Sequence, residues 1–349
     1  MWIADLELFL VPDAGDAAPR PLRWLVVRLA TDNGLEGWGE TRVPWREGEL
    51  AARREALSGL LCGRNLFDIE ELLRLEGLRD RSLRCAVETA CWDLVGKLAG
   101  LPLFQLFGGA YRQQVPLAVR LEGDSPDDLA RLARQRAEMG FHAQIVTSSG
   151  EIDEDVRRVT AVREGVGETI ALRLDGARRY DMESARDLCA ALEFEGLQFF
   201  LDPLAGGDLF AMASLSRQTS VPLAAGRSIG GPADVLAAVR CGAALHLVVD
   251  VTRLGGLTAA RKAAAIVEAA GLSASLAGGP SLGIATAVMA HLAASTPVLA
   301  GCHECPHHGL EDDVLDEPVP VVEGMLRVSH GPGLGVEVNR ARLDRLQIA

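Results

Sequence analysis

The sequence predicts a closed (β/α)8 TIM-type barrel carrying an α+β capping domain, on three observations. Eight short β-rich runs recur from Val115 onward at a spacing of roughly 25 residues, the period of a strand plus its crossover helix. Each of the first seven leads into a segment whose apolar residues fall at helical spacing, such as SARDLCAALEFE and GLTAARKAAAIVEAAG. The two ends of the chain read differently, as antiparallel strands and turns. Repeated strand–helix units imply parallel strands, and eight of them imply closure; a doubly wound open sheet, the main competitor, would usually have fewer.

The elements follow in chain order. IADLELFLV alternates in strand fashion, and LRWLVVRLATDNGLEGWGE makes two more strands around Asn33-Gly34, a pair suited to the positive φ of a tight hairpin. Glu47 to Leu61, Leu66 to Leu75 and Ser82 to Leu98 carry helical patterns, the last stopped by Gly100 with Pro102 beyond it. The barrel strands are VPLAVRLEG, AQIVTS, TIALRLDG, LQFFLDP, VPLAAGRS, LHLVVDV, LSASLAGG and PVLAGCHECP. After Pro318 the tail returns to strand and turn patterns that should rejoin the first domain. The expected division is a cap of residues 1–112 plus 319–349 and a barrel of residues 113–318.

At 349 residues with 48% hydrophobic content the chain can bury a large core. Its formal net charge of -13 disfavours nucleic acid and anionic membrane surfaces, whose phosphates it would repel. No basic segment precedes the first apolar run, and none of the apolar runs is long enough to span a bilayer, so the expected compartment is the cytoplasm. Seven cysteines, an odd number, suit reduced thiols better than a disulfide framework. Only Lys97 and Lys262 represent lysine, which arginine-biased codon usage explains, yet it leaves lysine general bases almost unavailable.

Particular motifs sharpen the fold. NGLEGWGE in the cap, AVETACWDLVGKLAGLPLFQLFGG leading into the barrel, Gly140-Phe141 before the second strand, LRLDGARRYDMESA, LGGLTAARKAAAI and GPGLGVEV together resemble the enolase superfamily, in its muconate lactonizing enzyme and mandelate racemase branch. The resemblance covers nearly the whole chain. It implies abstraction of a proton beside a carboxylate, with the enediolate held on Mg²⁺ by carboxylates at the ends of the third, fourth and fifth barrel strands. It also implies bases on either side, commonly lysines or a His-Asp pair, and a small carboxylate partner bound by a homo-oligomer.

Carried over by position, most of that equipment is replaced. Asp175 keeps the third-strand ligand position; the fourth falls on Leu201, beside Asp202, and the fifth on Arg227. The second-strand lysine positions fall on Ile145 and Thr147; the sixth-strand aspartate is Asp250, but its histidine partner position is Ala277. One carboxylate and one cation do not suit a hard divalent ion, so no cofactor is expected, with Mg²⁺ as the alternative. Two roles stand open for Arg227: an ion pair with Asp175, or capture of a substrate carboxylate. Asp250 and Asp202 are candidate acid/base groups or strand-end carboxylates that tie loops together. Arg173 should face inward with Asp175 and pair with interior carboxylates. CHECPHH, from Cys302 to His308, concentrates possible zinc ligands, but no second ligand pair is visible. It should instead line the mouth, where His303 or Glu304 could act as acid or base. Substrate choice should lie in cap loops at Asp13 to Leu22 and around Trp45. The functional expectation is a divergent relative that has lost Mg²⁺-dependent enolate chemistry and binds or transforms a small carboxylate. An active isomerase or lyase and a non-catalytic ligand-binding relative are the alternatives.

Overall fold

The computed structural model describes residues 1–12, 22–305 and 313–347. Strands β1 (Ile3–Pro12), β2 (Arg23–Thr31) and β3 (Glu36–Val43) form an antiparallel meander in that order, with Gly34 in the β2–β3 turn at φ +84°. Helices α1 (Leu50–Leu61), α2 (Ile69–Leu72) and α3 (Arg81–Ala99) follow, then the single turn α4 (Leu103–Leu106). The helix predicted over Leu66 to Leu75 shrinks to α2, because short turns at both flanks satisfy the backbone instead. NGLEGWGE owes its glycines to α3. A Cβ on Gly37 would come within 2.2 Å of the Ala90 carbonyl oxygen, and one on Gly39 within 1.9 Å of that of Ala86. Helix and sheet therefore meet backbone to side chain-free backbone, around an apolar core including Leu6, Leu25, Leu61, Leu83 and Leu94.

The barrel alternates as the periodicity predicts: β4 (Gln114–Leu121), α5 (Pro126–Glu138), β5 (Ala143–Thr147), α6 (Ile152–Val166), β6 (Ala171–Asp175), α7 (Met182–Ala191), β7 (Leu197–Leu201) and α8 (Leu209–Ser216). It continues with β8 (Leu223–Ala225), α9 (Pro232–Cys241), β9 (His246–Val249), α10 (Val251–Leu254), α11 (Leu257–Ala269), β10 (Ser273–Leu276), α12 (Gly283–Ser295) and β11 (His303–Glu304). Strands β4 to β10 pair in sequence, all parallel, and β11 returns to pair with β4 in parallel. Phe199, Leu201, Ala224 and Val248 fill one side of the interior, and Ala118, Ala143 and Ile145 another.

The tail divides between the two units. Its hairpin, β12 (Val321–Val322) with β13 (Met325–Arg327), adds antiparallel to β4 and so extends the barrel sheet. This differs from a tail that simply rejoins the cap, because the first half of β4 lies beyond the reach of β11 and leaves an open edge there. Beyond it the chain does return to the first domain: Leu334 N donates to Asp93 Oδ1 at 2.8 Å, and Arg340, just inside α13 (Arg340–Leu346), pairs with Glu7 at 2.8 Å.

Candidate functional site

The carboxyl ends of parallel barrel strands point their last inward side chains into one mouth. Asp175 closes β6 and is 1% exposed. Arg227, two residues past β8, reaches it with a two-pronged contact: Nη1 donates to Oδ1 at 2.7 Å and Nη2 to Oδ2 at 2.9 Å. Arg120 of β4 adds a second guanidinium, Nη1 donating to Asp175 Oδ2 at 2.9 Å and to Thr147 Oγ1 at 2.6 Å. The Ala177 amide supplies a fourth donor, at 3.0 Å. Burial pushes the Asp175 carboxyl up, but the Arg227 hydrogen bonds and the charges of both arginines outweigh it and hold the group below the usual aspartate range. The same bonds raise Arg227 despite its burial.

Asp202 supports this pair from behind. It adopts φ +44°, a left-handed conformation uncommon for a residue with a side chain, which fits a chain over-determined by its surroundings. Its carboxylate accepts from Gly226 N at 3.0 Å, Arg227 N at 2.8 Å and Arg227 Nη1 at 3.3 Å. A group tied to three donors orients the arginine; this geometry assigns Asp202 a positioning role.

Arg120, Arg227 and Arg253, with Asp202, Asp250 and Glu304, surround a cavity of about 180 Å³ floored by Leu201, Val248 and Ala277. Asp250 caps α10 by accepting from Arg253 N at 3.0 Å, and still lines the cavity. Glu304 faces inward, accepts from Gly278 N at 3.2 Å and lies 3.8 Å from Arg120 Nη2; burial raises its pKa, offset in part by Arg120.

Three expected site residues lie elsewhere in role or place. His303 does not face the mouth: it is fully buried, its Nδ1 accepts from Leu276 N at 2.9 Å, and its Nε2 therefore carries the proton and donates to Leu299 O at 3.2 Å. Burial pushes it down to about 3, so it is a neutral ring that bridges the β10–β11 seam, where no backbone ladder forms. Trp45 belongs to the cap core, 9% exposed with Arg53 5.0 Å over its ring, and does not line the mouth. Arg173 points inward but pairs with no carboxylate. It donates to Gln198 Oε1 at 2.7 Å and Cys302 O at 2.8 Å, and lies 4.8 Å over the Phe199 ring, because neutral partners surround it below the acidic rim. Of the cap loop at Asp13 to Leu22, all but Leu22 lies outside the described residues, as do His307 and His308 of CHECPHH. Among the described residues no group of three His, Cys, Asp or Glu side chains is arranged to hold a metal. Arg120 was missed by the sequence reading, although a lone cation alternating with Ala118 in an apolar strand was the available signal.

A magnesium ion implied by the fold needs several oxygen ligands. Here Leu201 supplies none, both Asp175 oxygens are bonded to guanidinium groups, and the positive charge of Arg227 stands between Asp175 and Asp202. These residues do not fit the ion.

A strand-end site in a capped eight-stranded parallel barrel defines an enolase-type protein. The chain belongs to the mandelate racemase/muconate lactonizing enzyme branch of the enolase superfamily: residues 20–108 match the family model for its N-terminal domain, and residues 128–342 that described as enolase C-terminal domain-like. It is 26% identical over 341 residues to the N-succinyl-L-Arg/Lys racemase of Bacillus cereus, covering 93% of this chain and 90% of that protein. It is 29% identical over 348 residues to the D-galactarolactone cycloisomerase of Agrobacterium fabrum, covering 93% and 91%. Among solved structures, an isomerase from Streptomyces coelicolor A3(2) superposes with a TM-score of 0.88 at 31% identity, over 99% of each chain. Related proteins thus include racemases, epimerases, cycloisomerases and dehydratases.

Proposed function

We propose that the barrel mouth binds a small carboxylate through Arg227, without a divalent cation, and that the Mg²⁺-dependent enolate chemistry has been lost. One observation carries this reading. A guanidinium has five N–H donors, and Arg227 spends three of them on Asp175 and Asp202. Its Nε and the second hydrogen of Nη2 form a side-on fork with no acceptor among the described residues, on a side chain that is 35% exposed and lines the cavity. That fork matches the two oxygens of a carboxylate. Asp175 and Asp202 hold the arginine still, which lowers the entropy cost of docking.

The expected partner is a small molecule, since the acidic surface repels phosphate backbones. No described helix is long and apolar enough to cross a membrane. The cytoplasm and a homo-oligomeric state remain part of the proposal. Isothermal titration with a panel of acid sugars, dipeptides and succinylated amino acids, in EDTA and in Mg²⁺, tests it. Binding should be equal in both conditions and lost in Arg227→Met; binding seen only with Mg²⁺ overturns it.

A second reading, an active isomerase or lyase, is favoured by Asp250 and Glu304 lining the same cavity. Burial raises Glu304, which suits a proton donor, while Asp250 is a candidate acceptor. Exchange of the ligand's α-hydrogen in D₂O, followed by NMR and abolished by Asp250→Asn, would establish this reading; no exchange for any bound ligand leaves a binding protein.

A further inference from the structure

Resting on the carboxylate reading above, we infer that the bound acid is elongated, and that its far end carries an uncharged hydrogen-bonding group, of the amide class, recognised by Thr41 and Ser281 under the cap. A second cavity, of about 250 Å³, lies between cap and barrel and shares Asp250, Ala277 and Gly278 with the mouth. A ligand held on Arg227 therefore has a route past Asp250.

The walls of this second cavity say what fits. Trp24, Ile284, Val288 and Met289 give it an apolar surface. Set among them are three buried side-chain oxygens with no hydrogen-bond partner among the described residues: Thr41 Oγ1, Ser281 Oγ and Glu40 Oε2. Buried polar groups are ordinarily satisfied, so three idle ones around one void point to a partner that supplies both donors and acceptors. Hydroxyls can play either part. Glu40 is fully buried and pushed up to about 8, chiefly by desolvation and despite backbone donors at the start of α12, so near neutrality it too is a donor. Arg42 also lines the cavity, 5.0 Å over the Trp24 ring. An ammonium tail would meet that cation, and a carboxylate tail would shed its hydration beside Glu40 and Asp250. An amide meets neither cost and satisfies both hydroxyls.

Four acids of matched length separate the possibilities: glutaramate, glutarate, δ-aminovalerate and valerate, titrated calorimetrically into the wild-type protein. Glutaramate should bind about 10-fold tighter than the other three, the scale of two well-made hydrogen bonds. The double variant Thr41→Val with Ser281→Ala should erase that advantage and leave valerate unchanged. If glutaramate and valerate bind equally, or if the double variant leaves glutaramate's advantage intact, the tail site is wrong while the carboxylate site on Arg227 stands. If Arg227→Met fails to weaken any of the four, the head site is wrong and the tail site falls with it. Preference for glutarate overturns the neutral-tail assignment alone.

Discussion

Two polar clusters adjoin at the mouth of this barrel and treat their valences in opposite ways. Around Asp175 nearly everything is spent internally: two arginines, a backbone amide and the supporting Asp202 leave only one edge of Arg227 free. Under the cap, Glu40, Thr41 and Ser281 leave three buried oxygens idle. The first cluster resembles a finished structural element, with charges paired so that neither guanidinium nor carboxylate is left alone in a poorly hydrated space. The second is costly as it stands and becomes favourable when a ligand completes it. The contrast teaches that loss of one ligand set need not erase a site: the ion pair stiffens the head-group position while discrimination passes to the cap seam.

The largest effect expected from perturbing either cluster is in the pH dependence of Glu40. Its carboxyl is raised from 4.5 to about 8, by burial first and by the neighbouring Asp313 charge as well, so the folded state holds a proton that the unfolded chain releases. Stability should therefore fall as pH rises between those two values, with a slope approaching about 1.4 kcal/mol per pH unit at the middle of the window. Glu40→Gln should flatten that limb, as read by denaturant unfolding at closely spaced pH values. An unchanged slope in the variant would place Glu40 in the ionised state and bring the two clusters closer in character.

Next in size is removal of the cation from the first cluster. Arg227→Met strands Asp175 on Arg120 alone and should cost about 2 kcal/mol, below the usual range for a buried pair because Arg227 is part exposed and one partner survives. Arg120→Met in a double-mutant cycle should show a coupling between the two arginines, since both serve the same carboxylate. Strict additivity would mean that the cluster is a pair with a bystander.

Much of this was legible in the sequence, for identifiable reasons. Strands β5 to β10 are short apolar runs with turn signals at each end, and strictly periodic patterns survive tertiary context. Asp175, Arg227 and Asp250 could be placed by motif because each sits at a strand end, where position in the repeat fixes position in the mouth. Arg120 was overlooked because nothing local marks a strand-borne cation as a partner of residues 55 positions away. His303 was misread for the opposite reason: HE in a cysteine- and histidine-rich run suggests chemistry, whereas its role follows from a missing ladder between β10 and β11 that only the closed barrel reveals. Thr41 and Ser281 carry no sequence signal, since their significance is the absence of a partner.

That seam gives a smaller expected effect and a check on the structural role of His303. His303→Leu leaves the Leu276 amide without its acceptor and should cost about 1.5 kcal/mol at neutral pH. Because the ring is lowered from 6.5 to about 3 by burial, it stays neutral in the fold while the unfolded chain takes up a proton, so its contribution is lost as pH falls below 6.5. The variant should therefore be less acid-sensitive than the wild type in unfolding experiments, with ligand binding at neutral pH retained. Loss of binding with stability intact would return His303 to the site.

The smallest effect expected is none at all. Adding millimolar Mg²⁺ should leave the melting temperature of the wild-type protein unchanged, since an ion stabilises a fold only by binding it in preference to the unfolded chain. The reason is local: Asp175 has both oxygens bonded to guanidinium nitrogens, Leu201 has none to give, and Arg227 would stand within a few ångströms of the ion. At an effective dielectric near 20, two like charges about 4 Å apart repel by roughly 4 kcal/mol, and a divalent ion doubles that. The site can be converted if this account is right. Leu201→Glu together with Arg227→Glu replaces an apolar group and a cation with two carboxylates at neighbouring strand ends, while Arg120 remains to offset the added charge. The double variant should be less stable than the parent in EDTA and regain stability with Mg²⁺, with the melting temperature rising as the ion is titrated. A wild-type protein that is itself stabilised by Mg²⁺, or a crystal showing the ion on Asp175 with Arg227 swung aside, would mean that the ion pair is a closed state of a working metal site, and the first cluster would then be as unfinished as the second.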